Sequence, residues 1–154
     1  MVTIRQAERA KIYFVPVSIS DQELITQWFE NDVEGQKELS SYIDLAAWLK
    51  LLDPNSRYGW IVYEDDKAIG FTDLEKGPSG VGYFSFYISP DERGKGKGKQ
   101  LLLNLIEKAK SMGLTQLEAG AEEENIASQK AMASVGFIQN GRDKDDYLVY
   151  ILTL

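Results

Sequence analysis

The chain has no cysteine and no histidine. Without cysteine there is no disulfide, no thiol nucleophile and no thiolate metal site. Without histidine the commonest general base and the commonest metal ligand are missing, and a Ser-His-Asp triad is impossible. Any proton transfer falls to Asp, Glu, Tyr, Lys, a terminus or water, and no metal is expected. No apolar run approaches the roughly 20 residues of a membrane span. The first residues lack the apolar core of a secretory signal, so a cytoplasmic protein without a membrane partner is expected. Basic excess is missing too: 17 Lys and Arg stand against 24 Asp and Glu, a net charge of −7. A nucleic-acid binder would carry a basic face, so no nucleic-acid partner is expected. An acidic surface suits a cationic ligand better.

What is present fits one globular domain over residues 1–154. The chain is 44% hydrophobic and 27% charged, enough to bury a core. Lys11–Ser18 reads as a first strand, with Pro16 marking an edge or bulge. Ser20-Asp21-Gln22-Glu23 has the capping-box pattern ahead of Leu24, Ile25, Trp28 and Phe29. Residues 31–39 are polar and contain Gly35, and read as a loop. A second helix is expected from about Ser41, on the stripe Leu45, Trp48, Leu49 and Leu52. Tyr58–Glu64 and Lys67–Glu75 read as strands around Asp65-Asp66. Val81–Ser89 is the most strand-like segment, rich in aromatic and β-branched residues. A helix follows on Leu102, Leu105, Ile106 and Ala109. Leu114–Ala121 reads as a strand, Asn125–Val135 as a helix stopped by Gly136, and 137–140 with 147–154 as a closing hairpin. The order β-α-α-β-β-β-α-β-α-β-β makes a mixed α/β domain of α+β type. Its first half is antiparallel, and it holds at least one βαβ unit.

Residues 93–99, Arg-Gly-Lys-Gly-Lys-Gly-Lys, stand between the aromatic strand and the helix after it. Alternating glycines let a backbone approach a ligand and take positive φ. Their amides, with the N-terminus of the following helix, can face an anion, and the cations reinforce that. The run is not a P-loop, since Lys99 is followed by Gln100. It is not the dinucleotide fingerprint either, since Lys99 stands where the third glycine belongs. A solvated basic turn capping a helix is the simpler reading.

The flanks narrow it. The segment reads strand, Pro90, Arg93-x-x-Gly96-x-Gly98, amphipathic helix, with Tyr87-Ile88-Ser89-Pro90 ahead and Gln100-Leu101-Leu102 behind. Asn125-Ile126-Ala127-Ser128 through Val135-Gly136-Phe137 forms a second element downstream. In these residues, and in element order from residue 11 onward, the chain resembles the GNAT family of N-acetyltransferases. That family's signature is Gln/Arg-x-x-Gly-x-Gly/Ala. The resemblance implies a centrally splayed β-sheet flanked by helices, and acetyl-CoA as co-substrate. It implies direct transfer to the primary amine of a small molecule or peptide, in a ternary complex without a covalent enzyme intermediate.

By position, Gly94, Lys95, Gly96, Lys97 and Gly98 would hold the pyrophosphate, with Arg93 and Lys99 as supporting cations. The strand residues Phe86, Tyr87 and Ile88 would pair with the pantetheine arm. An N–H near Tyr87 or Ile88 would polarise the thioester carbonyl. Asn125 and Ser128 would touch the pantetheine or phosphate region. Trp28, Phe29, Trp48 and Tyr147 are candidates for the acceptor pocket, although helix-face aromatics are more often core. A homodimer is a further partner common among relatives.

Two acid/base positions depart from the family's pattern. The Tyr that many relatives carry ahead of the Gly-Phe pair is Met132, which has no proton to give and reads as core. The Glu that many carry on the strand before the loop is Tyr83. Substitutes are Glu118, Asp73 and Tyr83 itself. The departures also motivate a different class of function, an acyl-CoA-binding sensor or regulatory module with little catalysis.

Overall fold

A computed structural model describes residues 11–154. The opening stretch read above for a secretory signal, and the first part of the expected 1–154 domain, lie outside the described residues. Seven strands form one sheet in the order β1-β2-β3-β4-β5-β7-β6: β1 Ile12–Pro16, β2 Arg57–Glu64, β3 Lys67–Lys76, β4 Val81–Ile88, β5 Gln116–Ala121, β6 Ile138–Arg142 and β7 Leu148–Thr153. Every neighbouring pair is antiparallel except β4 and β5. Pro16 ends β1 on the sheet's edge, where a missing N–H costs least.

Among the described residues five helices pack on the two faces: α1 Gln22–Phe29, α2 Val33–Glu38, α3 Leu45–Leu51, α4 Lys97–Ser111 and α5 Ile126–Ser134. On one face α4 and α5 set Leu101, Leu102, Leu105 and Met132 against Leu74, Phe84 and Leu117. On the other, α1 and α3 set Ile25, Phe29, Leu45 and Trp48 against Ile61, Phe71 and Tyr87. Each such side chain contributes about 1.5–3 kcal/mol when fully buried. That is why helices too short to persist alone are fixed here.

The expected order holds with one helix added. Residues 31–39, read as a loop, contain α2. Asp32 caps it by accepting from Gly35 N at 3.1 Å, which replaces a missing intrahelical partner. The expected capping box at Ser20 and Glu23 lies two residues too late: the box is formed by Ser18 and Asp21, with Ser18 N donating to Asp21 Oδ2 at 2.9 Å. The second expected helix starts at Leu45 instead of Ser41. Asp44 caps it, and Ser40–Tyr42 forms a single 3-10 turn.

The departure from a regular sheet is at its centre. β4 and β5 pair in parallel only over Val81–Tyr83 and Gln116–Glu118. Beyond that rung they diverge, and the sheet splits as the resemblance implies.

Candidate functional site

A cleft of about 230 Å³ fills the split, lined by Phe84, Ser85 and Phe86 from β4 and by Ala119, Gly120 and Ala121 from β5. It passes between the two layers. Ser128 and Met132 of α5 line one side, and Glu38 and Leu39 the other. Glu122, Asn125, Asp143 and Tyr147 complete it.

Backbone alternation decides which groups of β4 face the cleft. Ser89 N donates to Ile69 O across β3 at 2.8 Å. Successive residues point opposite ways, so Tyr87 and Ser85 also turn their amides to β3. Phe84, Phe86 and Ile88 turn theirs to the gap. This corrects one expectation: the Tyr87 N–H faces β3, so a carbonyl in the cleft would meet Phe86 or Ile88. The Ile88 carbonyl is already taken by Arg93 Nε at 3.0 Å, which leaves Phe86 with both groups free toward the gap.

The glycine loop lies at the C-terminal end of β4. Gly94 and Gly96 have φ of 76° and 77°, and a Cβ on either would meet nothing within 4 Å. Only glycine takes this conformation without strain, and the space beside it is open. Gly96 opens α4, and Gln100 N is the first amide to find a carbonyl, that of Gly96 at 3.2 Å. Among the described residues no backbone acceptor meets the amides of residues 94–99. They form a cradle of donors at a fifteen-residue helix's positive end. A Cβ placed on Gly98 would stand 3.5 Å from the Ala131 side chain and 3.7 Å from the Phe86 ring, so the loop, β4 and α5 come together there.

The cations of the loop divide. Lys95 and Lys99 are exposed. Lys97 is ion-paired with Glu64, both largely buried. Arg93 corrects its expected place beside a phosphate. Its guanidinium reaches back to Asp32, Nη2 to Oδ2 at 2.6 Å, and lies over the Tyr87 ring at 5.3 Å. The Tyr87 hydroxyl donates to the same carboxylate at 2.7 Å. Burial works to raise the Asp32 carboxyl, but the hydrogen bonds from Arg93, Tyr87 and Gly35 outweigh it and hold it below its ordinary value. Burial and the Asp32 hydrogen bond push the Tyr87 hydroxyl well up.

The expected acid/base residues stand elsewhere. Tyr83 and Glu118 face one another on the last paired rung of β4 and β5, and neither lines the cleft. Asp73 is corrected as a free base. It is 3% exposed, and its carboxylate accepts from Trp48 Nε1 at 2.6 Å and Arg57 Nε at 3.1 Å. Burial raises its carboxyl, and those two partners pull against the rise. Phe29 and Trp48, candidates for the acceptor pocket, are core residues at 2% and 0% exposure, and Trp28 packs against the same core. Tyr147 does line the cleft. Met132 is 1% exposed within the core and closes the cleft's floor.

Asn125 caps α5 by accepting from Ser128 N at 3.1 Å and donates from Nδ2 to Glu38 Oε2 at 2.7 Å. Glu38 and Asp143 were not singled out from the sequence. Burial, then the neighbouring Glu122, pushes the Glu38 carboxyl above its ordinary value. Among the described residues no lysine or arginine lines the cleft, and none of the acids could form a metal-holding group. Among the described residues no helix is long and apolar enough to cross a membrane.

Known proteins share this architecture. The L-methionine sulfoximine/L-methionine sulfone acetyltransferase of Salmonella typhimurium is 32% identical over 112 residues, 60% of this chain and 64% of that protein. The L-amino acid N-acyltransferase MnaT of Escherichia coli is 32% identical over 113 residues, again 60% and 64%. The match therefore spans less than two thirds of either relative's length. The aminoglycoside acetyltransferase AAC(6')-Ib in complex with coenzyme A shares the fold, with a TM-score of 0.78 at 16% identity over 93% of this chain and 95% of that one. A sequence model described as the Acetyltransferase (GNAT) family matches residues 22–137, from the first helix through the Gly-Phe pair. With the split sheet and the glycine cradle in the places that family puts them, the chain belongs to the GNAT acetyltransferases.

Proposed function

We propose that the protein transfers an acetyl group from acetyl-CoA directly to a primary amine of a small, cationic acceptor. The observation that carries this is the cleft between β4 and β5. The donor cradle of residues 94–99 sits at the end of β4, and carboxylates face the other side of the cleft. The free amides of the loop hold the pyrophosphate, with Lys95 and Lys99 adding charge. The unpaired edge of β4 takes the pantetheine arm through Phe86, and the Phe86 N–H polarises the thioester carbonyl. The amine attacks the acetyl carbon, the C–N bond forms, the C–S bond breaks, and CoA leaves as thiolate. The new amide's extra proton goes to that thiolate directly or through water.

The acceptor's charge follows from the lining. Glu38, Glu122 and Asp143 bring three carboxylates into the cleft, and Glu122 is partly offset by Lys37 at 3.5 Å. With no cation among the lining residues, an acceptor's own carboxylate has nothing to pair with. The two relatives above carry names that point to amino acids. This cleft favours an acceptor richer in amines than in carboxylates, such as a diamine, a polyamine or an amine-rich sugar. The test is release of CoA thiol from acetyl-CoA in the presence of polyamines, aminoglycosides, free amino acids and peptides. Turnover with the polycationic acceptors is expected. Tight binding of acetyl-CoA with no turnover on any of them would favour the regulatory reading.

A further inference from the structure

Glu38 is a cleft carboxylate held by a hydrogen bond from the opposite layer. It ends α2, a helix of six residues on the α1–α3 face. Its Oε2 accepts from Asn125 Nδ2 at 2.7 Å, and Asn125 is fixed as the cap of α5. The two hydrogen bonds set the carboxylate's position across the mouth of the split. The second oxygen, Oε1, has no hydrogen-bond partner among the described residues. Asp143 is likewise held through one oxygen, but its Oδ1 accepts from the amides of Asp145 and Tyr147 within its own turn instead of from across the split. Glu122 differs, being ion-paired with Lys37.

We propose that Glu38 is the general base of the acetyl transfer, which rests on the acetyltransferase reading above. An alkyl amine reaches the cleft as ammonium, which has no lone pair to attack with. Glu38 takes one ammonium proton, and the neutral amine then attacks the acetyl carbonyl. The C–N bond forms, the C–S bond breaks, and the second nitrogen proton leaves to the thiolate. The proton on Glu38 returns to water, so one proton is released per turnover. Tyr83, Glu118 and Asp73 lie outside the cleft lining and cannot touch the reacting nitrogen from where they stand.

The surroundings suit the role. Burial, and next the charge of Glu122 from the end of β5, push the Glu38 carboxyl up, while the Asn125 hydrogen bond and Lys37 pull it down. Glu34 on its own helix adds to the rise. Asp143 and Tyr147, from the turn between β6 and β7, line the same space. A base that titrates closer to neutrality is a better match to its task than an ordinary Glu.

The test is Glu38→Gln, which keeps the size and can still accept from Asn125 Nδ2. Steady-state rates are measured between about pH 5 and 9, with the best alkyl amine of the panel and with an aryl hydrazine that is uncharged throughout. Acetyl-CoA affinity is measured alongside by calorimetry. The variant is expected to bind acetyl-CoA within about twofold of wild type and to lose about 10²-fold or more in kcat/KM with the alkyl amine. It should lose the acidic limb of its pH profile and keep most of its rate with the hydrazine. Glu38→Ala should regain rate when a small carboxylate such as acetate is added. A folded variant that binds acetyl-CoA and shows an unchanged rate overturns the proposal. So does a loss that is equal at every pH and for both amines, or an Ala variant that acetate fails to rescue. A wild type that acetylates none of the amines overturns the enzymatic reading itself, a result distinct from an active wild type indifferent to Glu38.

Discussion

Arg93 and Asp32, 61 positions apart, form a two-pronged ion pair, with Nη2 at 2.6 Å from Oδ2 and Nη1 at 3.3 Å from Oδ1. The first residue of the family signature therefore points away from the glycine cradle it introduces. It ties the base of that cradle to the cap of α2, the helix that ends in Glu38. The pair joins the donor loop to the acceptor wall. Breaking the pair with Asp32→Asn should destabilise the fold by about 1.5–3 kcal/mol, the range for hydrogen bonds to charged partners. The lower end is expected because the Arg93 side chain is 44% exposed. Urea unfolding measures it. Arg93→Lys should recover only part of the loss seen in Arg93→Ala, since a point charge cannot make both contacts. A phosphate-binding Arg93 would give the opposite pattern, with stability intact and acetyl-CoA affinity alone reduced.

The same carboxylate makes stability depend on pH in a stated direction. The Asp32 carboxyl lies below its ordinary value in the folded state. Its contribution is therefore complete above the unfolded value of about 4 and is lost as pH falls through the lowered folded value. Asp73 works the other way, because burial raises it. Comparing wild type with Asp32→Asn isolates the first effect. The stability difference between them should be largest near neutrality and shrink below about pH 4, read from thermal midpoints across that range.

The lysines of the loop should separate in their effects. Lys97 is paired with Glu64 and largely buried, so Lys97→Ala should lower stability more than acetyl-CoA affinity. Lys95 and Lys99 are exposed beside the cradle, so Lys95→Ala and Lys99→Ala should leave the melting point near wild type. Each should weaken acetyl-CoA binding by about two- to fivefold, the range for an exposed charge near a helix end. That loss should shrink as salt is raised. Calorimetry at low and high salt distinguishes the two groups.

The residues that could be read from the chain alone are those whose chemistry demands a particular residue type. A positive φ of 77° at Gly96 requires glycine, so the cradle is visible as a spacing. The aromatic run of β4 and the stripe of α4 are visible for the same reason. Glu38 stayed hidden because α2 has six residues, too few to show an apolar period, and Gly35 lowers its helix propensity. Its signal was Asp32 three residues ahead of Gly35, with Lys37 in the last turn. Gly35 is there because a Cβ would come within 2.5 Å of Asp32 Oδ2, a contact that local sequence does not announce. Asp73 looked like a free strand acid because its partners, Trp48 and Arg57, are 25 and 16 residues away. Alternation of β4 was legible, but the side on which Tyr87 turns its amide depends on pairing with β3.

The central claim is that the amides of residues 94–99 bind the pyrophosphate of acetyl-CoA. Calorimetric titration of acetyl-CoA into wild type and Gly96→Glu tests it most directly. The substituted carboxylate would occupy the open space beside the cradle with the wrong charge, at a backbone angle that disfavours it. Wild type should bind one acetyl-CoA per chain, and Gly96→Glu should lose at least about tenfold in affinity, or 1.4 kcal/mol, while remaining folded by circular dichroism. No binding by wild type, or equal binding by a folded Gly96→Glu, would contradict the account.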